Sequence, residues 1–229
     1  MMNNCISDAA GAAMLSRRAF LLSGTLALAG CATGPNRPGP IASALPGPAG
    51  QYAAIYGAMD DGGVEIPAID ISEIDPRFLR QEVAYTSRYP AGTIVVDPHE
   101  RFVYLLRGGG RAMRYGCGVG KAGLAFQGEA VIQRKAHWPG WTPTPSMIAR
   151  EPERYGPYAG GLPGGLGNPL GARALYLYRD GRDTYYRLHG TNEPQSIGHA
   201  VSSGCIRLFN QDIIDLYDRT PPGTRVVVV

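Results

Sequence analysis

The sequence predicts a mainly β fold, built as a single domain with a few short helices. Strand-like runs of β-branched and aromatic residues, separated by short turn signals, recur through its second half. The 229 residues include 32 glycines and 19 prolines, a composition that favours turns over long helices. Without a short N-terminal segment, roughly 200 residues remain, a length that one all-β core can use.

The strand pattern begins with a meander between residues 93 and 116. Residues 93–97 and 102–106 are strand-like, and the turn at 98–101 separates them. Three glycines at 108–110 then turn the chain into a third strand at 112–116. Short connections of this kind join neighbouring strands, so we expect an antiparallel unit.

A second hairpin is predicted around Asp180-Gly181, which lies between strand-like residues 174–178 and 184–188. This dipeptide tolerates the positive φ angles of a tight hairpin turn. His189 therefore lies at the end of a strand. The final residues, 225–229, form a continuous β-branched run typical of a buried strand.

Two helices are predicted. Residues 75–83 begin with Asp75 as an N-cap and Pro76 in the first turn, a combination that favours a helix start. Residues 211–219 have apolar side chains on one face, and Asn210 precedes them as a candidate cap. The second helix follows the motif described below and would anchor it.

Between residues 121 and 171 the sequence predicts a long loop rich in glycine, proline and tryptophan. Loops of this length in compact domains are usually functional or disordered. Trp138 and Trp141 either line the wall of a substrate cleft or pin the loop to the core, and the sequence leaves both interpretations open.

The N-terminus is predicted to be an export segment, residues 1–30. Arg17-Arg18 precedes the apolar run 21–30, which resembles a twin-arginine signal and falls short of the about 20 apolar residues that span a bilayer. The run ends at Cys31 in a pattern that resembles a lipobox, although an ordinary cleaved signal with an incidental Cys31 is the alternative. Residues 31–50, rich in glycine and proline, are predicted to be a flexible tether. We therefore expect a periplasmic, membrane-anchored lipoprotein.

Charge and ligand patterns exclude other classes. The formal net charge is only +3 and stays small without the export segment, so no basic surface for nucleic acid is expected. No His or Cys pair has the short spacing of a zinc site, and we expect neither a metal nor a cofactor. Without Cys5 and Cys31, Cys117 and Cys205 remain. We expect Cys117 to be a buried thiol, with a redox-sensitive bridge to Cys205 as the alternative.

A nucleophile motif lies near the C-terminus. Cys205 follows a glycine, and His189 lies sixteen residues upstream. A free thiol, with a pKa of about 8.5, is weakly ionised at neutral pH, so a nearby imidazole must lower that pKa or take the proton during attack. We expect the Cys205 thiol to titrate below the free value. His199 is a rival base, but His189 lies at a predicted strand end.

The segment 189–208 resembles the signature of the L,D-transpeptidase (YkuD-type) catalytic domain, in which a His-Gly pair precedes Ser-x-Gly-Cys-Ile-Arg. The resemblance extends from residue 90 to 229, with residues 51–89 as an N-terminal extension that carries a short helix. It implies a β-sandwich in which Cys205 is the nucleophile, His189 is the general base and the carbonyl of Gly190 orients the imidazole.

The resemblance also suggests roles for the neighbours of Cys205. The backbone at Gly204 would contribute to an oxyanion hole. Arg207 would hold a substrate carboxylate or order the loop. Many family members have a second histidine where this chain has Ser203, which would instead contact substrate.

The implied function is peptidoglycan L,D-transpeptidation. Cys205 would form a thioester with a tetrapeptide stem, and the acceptor would be a second stem or a lysine of an outer-membrane protein. Water as acceptor would make the protein a carboxypeptidase or amide hydrolase, and a non-catalytic peptidoglycan-binding lipoprotein is a further alternative. A papain-like protease is disfavoured because its cysteine precedes its histidine in the chain.

Overall fold

A computed structural model describes residues 49–120, 126–199 and 205–229. The predicted export segment, Cys31 and most of the predicted tether lie outside the described residues, as do Ser203 and Gly204, and all of these stay predictions. Across the described ranges, no helix is both long and apolar enough to cross a membrane.

Within these ranges, ten strands form one continuous sheet in the order β3-β6-β5-β4-β12-β8-β9-β10-β11-β7, and β1 and β2 form a separate pair. In chain order the strands are β1 Met59–Asp60, β2 Glu65–Ile66, β3 Gln81–Ala84, β4 Ile94–Asp97, β5 Phe102–Gly108, β6 Arg111–Gly116, β7 Gly118–Val119, β8 Gly128–His137, β9 Arg173–Arg179, β10 Arg182–His189, β11 Ile206–Arg207 and β12 Arg225–Val228.

The large sheet curls back on itself at Cys117. This residue alone separates β6, the second strand in the sheet order, from β7, the last. Because the chain joins the two regions directly, side chains from both pack into one core that includes Tyr115, Val119 and Ile206. The mainly β single domain is confirmed, and the two layers of its sandwich belong to one curled sheet.

A second core covers the other face of the meander. The predicted N-terminal extension supplies much of it, because Phe78, Leu79 and Val83 are buried there against Phe102 and Tyr104. Strand β3 of this extension pairs antiparallel with β6. The extension is therefore packed on the same sheet that carries the motif strands.

The described helices are α1 Ala49–Ile55, α2 Pro145–Arg150, α3 Pro152–Tyr155 and α4 Asn210–Arg219. The predicted helix at 75–83 is wrong. Asp75 does cap a helical turn by accepting a hydrogen bond from the Arg77 N–H, but the 3₁₀ turn ends at Phe78. The chain then extends as β3, because pairing with β6 outweighs the local helix preference.

Helix α4 matches the predicted helix at 211–219, but the proposed cap is wrong. Phe209 occupies the cap position and Asn210 is the first helical residue. The Asn210 side chain instead accepts a hydrogen bond from the Ala172 N–H at 2.9 Å and donates one to the Thr191 carbonyl at 3.0 Å. It therefore joins the start of α4 to the segment that follows His189.

The predicted long loop at 121–171 is also corrected. Strand β8 occupies ten of these residues and pairs with both β9 and β12. Buried and exposed side chains alternate only around Ala130 and Ile132, which are buried, and the other residues of β8 are mostly exposed. The residues from 138 to 171 form an excursion between β8 and β9 that contains α2 and α3.

Candidate active site

Strands β10 and β11 bring the two motif residues into one region. They pair in parallel, with Leu188 opposite Ile206 and His189 opposite Arg207. Leu188 and Ile206 are both buried in the main core. Since side chains alternate along a strand, the residues on either side of these two share the opposite face of the sheet. They are Arg187, His189, Cys205 and Arg207.

Cys205 is half-buried and immediately precedes β11. Its Sγ donates a hydrogen bond to the carbonyl oxygen of Tyr185 at 3.3 Å. Burial raises the pKa of the Cys205 thiol. Hydrogen bonds and the positive charge of Arg187 oppose this rise, and the negative charge of Asp183 adds to it. The thiol is therefore protonated at neutral pH.

His189 is 4% exposed, and its Nδ1 lies 2.6 Å from the carbonyl oxygen of Gly190. Since a carbonyl only accepts, this contact assigns the proton to Nδ1 and leaves Nε2 as the basic nitrogen. Burial lowers the pKa of His189 to about 3, with the charges of Arg207 and Arg187 acting in the same direction and the Gly190 carbonyl opposing them. The imidazole is therefore neutral at neutral pH.

These pKa directions correct one expectation from the sequence. A thiol that titrates below its free value would need a positively charged partner, and a neutral His189 does not supply one. The resting pair is a neutral thiol and a neutral imidazole. The arrangement fits an imidazole that takes the proton as attack begins, the second of the two routes open from the sequence.

Close packing requires glycine at position 190. A Cβ there would collide with Oδ1 of Asn210 and lie 3.0 Å from the Ala172 nitrogen. Gly171, at a φ of 61°, is similarly confined by Thr191 and Asn210. The carbonyl that contacts His189 is thus fixed by the end of the excursion and the start of α4.

Arg207 forms an ion pair with Glu193 at 2.7 Å, and its side chain is 13% exposed. Glu193 belongs to the segment that connects His189 with the motif cysteine. The sequence left two roles open for Arg207, and the ion pair with Glu193 supports the one in which Arg207 orders this segment. Its contact with a substrate carboxylate stays a prediction.

Tyr185 and Arg187 belong to this region but were not identified from the sequence. The pairing of β9 with β10 is interrupted between Asp183 and Arg187, and within this bulge Tyr185 has a φ of 62° and a side chain 73% exposed. The Tyr185 carbonyl accepts hydrogen bonds from Cys205 and from Nη1 of Arg187, the latter at 2.9 Å. The one available signal was the position of Arg187 two residues before His189, on the same face of the strand.

The tryptophans lie in the excursion and make packing contacts. Trp138 packs beside Ile66 and Ala172, and its indole N–H donates to the Asp61 carbonyl at 3.4 Å. The Trp141 ring lies 6.1 Å from that of Tyr155, and its backbone pairs with Leu162. The described contacts match the pinning interpretation, and substrate contact by either ring stays a prediction.

His199 and Cys117 are the remaining candidates from the sequence. His199 is exposed and lines a cavity of about 710 Å³ between residues 68–78 and 194–199. Cys117 is a fully buried free thiol, as predicted, and burial raises its pKa. Among the described residues, no three His, Cys, Asp or Glu side chains are grouped so that they could hold a metal ion.

The site thus has a buried histidine of fixed tautomer and a half-buried thiol on one face of paired strands, which are the residue types that thiol-dependent acyl transfer needs. The family model for the YkuD L,D-transpeptidase catalytic domain matches residues 91–228. The chain belongs to this family, as its signature predicted.

Similar proteins carry related names. The chain is 35% identical over 150 residues to the Escherichia coli (strain K12) protein named probable L,D-transpeptidase YbiS, covering 65% of this chain and 47% of that protein. It is 40% identical over 114 residues to the E. coli (strain K12) protein named probable L,D-transpeptidase ErfK/SrfK, covering 49% and 35%. The chain thus spans about half or less of these two relatives.

Among solved structures, the chain resembles one from Brucella melitensis described as a probable carnitine operon oxidoreductase. The two are 51% identical, and the match covers 70% of this chain and 99% of that one with a TM-score of 0.48.

Proposed function

We propose that this protein is a peptidoglycan L,D-transpeptidase with Cys205 as nucleophile and His189 as general base. The observation that carries the proposal is the placement of both residues on one face of adjacent strands, with Nδ1 of His189 held by the Gly190 carbonyl. Family membership supports the reaction class. The substrate is the stem peptide of peptidoglycan.

The first half of the reaction acylates the enzyme. The Cys205 thiol turns from the Tyr185 carbonyl toward Nε2 of His189, which takes its proton as Sγ attacks the carbonyl carbon of the third stem residue. Backbone N–H groups at Gly204 and Cys205 would stabilise the resulting oxyanion. The imidazolium then donates its proton to the leaving amine, so that D-alanine departs and a thioester remains.

The low pKa of His189 suits this second proton transfer. An imidazolium destabilised by burial and by two arginines gives up its proton more readily than a free imidazolium, so it can protonate the departing amine. In the second half of the reaction, neutral His189 takes a proton from the incoming amine. That amine attacks the thioester, forms the new amide and restores the Cys205 thiol.

The acceptor decides the biological product. We propose an amine of a second stem peptide, which gives a 3→3 cross-link, or a lysine of an outer-membrane protein, which gives a protein–wall tether. Mass spectrometry of muropeptides from cells that contain wild-type protein or Cys205→Ala tests this. Cross-linked dimers or protein-linked stems should depend on Cys205, whereas Cys205-dependent tripeptides without either product would show that water is the acceptor.

We also propose that the protein acts in the periplasm as a lipoprotein anchored through Cys31. The support is the string Leu28-Ala29-Gly30-Cys31 after a short apolar run. The several acyl chains of a lipoprotein anchor more firmly than a single chain. Wild-type protein should incorporate labelled palmitate and fractionate with membranes, while Cys31→Ser should do neither. Unlabelled, soluble wild-type protein would contradict the anchor.

A further inference from the structure

Arg187 lies next to the nucleophile although the family signature begins two residues later. The register that pairs Leu188 with Ile206 places Arg187 beside Cys205, one step back along both strands. Its backbone and guanidinium favour the ionised form of the Cys205 thiol, and its charge also acts on His189. One guanidinium is therefore in electrostatic contact with both members of the pair.

The bulge in β10 holds this guanidinium in place. Tyr185 adopts a φ of 62°, which is uncommon for a residue with a side chain, and the Asp183 carboxylate accepts its N–H at 2.8 Å. The Tyr185 carbonyl thereby points at both Sγ of Cys205 and Nη1 of Arg187. Strained backbone of this kind is concentrated at functional sites, and bulges there redirect side chains.

The two arginines of the site differ in their partners. Arg207 is matched by Glu193 at 2.7 Å. Among the described residues Arg187 has an ion pair with Asp183 at 4.0 Å, and its side chain is 25% exposed. Its guanidinium also lies 4.9 Å from the centre of the Tyr176 ring. A guanidinium has five N–H donors arranged to match a carboxylate. Of these two arginines, Arg187 is therefore the better placed to receive an anion from solvent.

The chemistry of the proposed reaction puts an anion at this position. In a stem that ends one residue beyond the attacked carbonyl, the terminal carboxylate is separated from that carbonyl carbon by only the amide nitrogen and one Cα. Standard bond lengths place it about 3–4 Å from the carbon that Sγ attacks. The Arg187 guanidinium shares the Tyr185 carbonyl with Sγ, so it is within reach of that carboxylate. A longer or amidated stem presents a neutral amide instead.

We propose that Arg187 binds the terminal carboxylate of the donor stem and so restricts the enzyme to donors with one residue after the attacked bond. This proposal rests on the proposed transpeptidase function and names a specificity determinant within it. Arg187 is a substrate-binding residue here, and proton transfer remains with His189.

Binding to an enzyme that cannot react tests the proposal. In the Cys205→Ala protein, the dissociation constants of a donor tetrapeptide and of the same peptide with a C-terminal carboxamide are measured by calorimetry. The acid should bind roughly 10- to 100-fold more tightly than the amide, the range of a charge-assisted hydrogen bond. Adding Arg187→Gln should remove this difference by weakening the acid alone.

The matched control is Arg182→Gln, the same substitution at an exposed arginine at the start of β10. It should retain the full preference for the acid. A preference that survives Arg187→Gln would overturn the proposal. If the Gln variant binds neither peptide, Arg187→Lys decides: the retained charge should keep several-fold preference for the acid, and equal affinities would overturn the proposal.

Thioester formation in the Cys205-containing enzyme separates the two proposals. Equal kcat/KM for the acid and the amide would overturn the role of Arg187 while leaving the transpeptidase intact. A wild-type protein that forms no thioester with either donor would contradict the function itself. The expected result is that Arg187→Gln brings the ratio of kcat/KM for the acid to kcat/KM for the amide close to one, whatever it does to both values through the thiol.

Discussion

Nδ1 of His189 lies 2.6 Å from the carbonyl oxygen of Gly190, the next residue in the chain. This contact fixes which ring nitrogen is basic before any substrate arrives. It also places the tautomer of the proposed base under the control of a backbone segment packed between Asn210 and Ala172. The chemistry of the site therefore depends on packing around a residue that has no side chain.

Replacing Cys205 with alanine should abolish thioester formation and leave the fold intact. The change is small and the thiol is only half-buried, so the melting temperature should stay within a few degrees of the wild-type value. Intact-mass spectrometry with a tetrapeptide donor measures the acyl adduct. Activity of Cys205→Ala within tenfold of wild type would contradict the assignment.

His189→Ala should reduce kcat/KM by roughly 10²–10⁴-fold, the usual contribution of a general base. In the wild type, the base is active when neutral, so activity should be lost only as pH falls toward the His189 pKa of about 3. The pH profile should therefore be flat between pH 5 and 7. The control is His199→Ala, which should behave as wild type. A large loss of activity in His199→Ala, with none in His189→Ala, would identify His199 as the base.

Alkylation of the Cys205 thiol should have a midpoint above the free-thiol value of about 8.5, because burial raises its pKa. His189→Ala should move this midpoint little, since a neutral imidazole contributes no charge. Arg187→Gln should raise it further, since the guanidinium favours the thiolate. A wild-type midpoint below pH 8 that rises in His189→Ala would instead indicate an ion pair.

Burial of neutral His189 should make stability depend on pH. The folded pKa of about 3 lies below the unfolded value of about 6.5, so below pH 6.5 the unfolded chain binds a proton that the folded state does not. Stability contributed by this group is complete above pH 6.5 and is lost as pH falls toward 3. Urea unfolding of wild type and His189→Gln at pH 4.5 and 7 measures this. Between pH 7 and pH 4.5 the free energy of unfolding should fall less for the variant than for the wild type. An equal decrease in both proteins would contradict a neutral, buried His189.

Gly190→Ala should destabilise the domain and impair catalysis together. The added Cβ meets Oδ1 of Asn210 at less than contact distance, and overpacking of this kind costs about 1–3 kcal/mol. Gly181→Ala is a useful comparison, because that glycine has a positive φ of 74° but no atom within 4 Å of a Cβ. Only Gly190→Ala should lower kcat strongly. If both variants lose stability but neither loses activity, the Gly190 carbonyl does not control the base.

Local signals in the sequence account for much of the fold. The hairpin at Asp180-Gly181 was predicted because only a few residue pairs tolerate two positive φ angles, and the structure has them at 51° and 74°. The meander and the final strand were likewise marked by their own residues. The proximity of His189 and Cys205 was predicted because both lie in one short signature.

Other features depend on partners far away in the chain. Strand β8 alternates weakly, and its place in the sheet comes from β12 and β9. The segment at 75–83 has helix-start residues, and β6 makes its second half a strand. The bulge at Tyr185 lies in a run that resembles a regular strand, so the position of Arg187 beside Cys205 was visible only after the register shift was known.

The single residue between β6 and β7 has a mechanical consequence. On one side of Cys117, Gly116 abuts the Phe78 backbone, and on the other, Gly118 abuts the Ser196 carbonyl in the segment that follows the base. Residues 116–118 therefore link Phe78 of the N-terminal extension to Ser196, in the segment that follows the base. A protein cut at residue 91, where the family match begins, would lack Phe78 and the whole of β3. We expect this truncated protein to unfold in a single transition at a lower temperature than the full-length protein. The reason is that residues 116–118 pack against both segments, so no part of the fold is stable on its own.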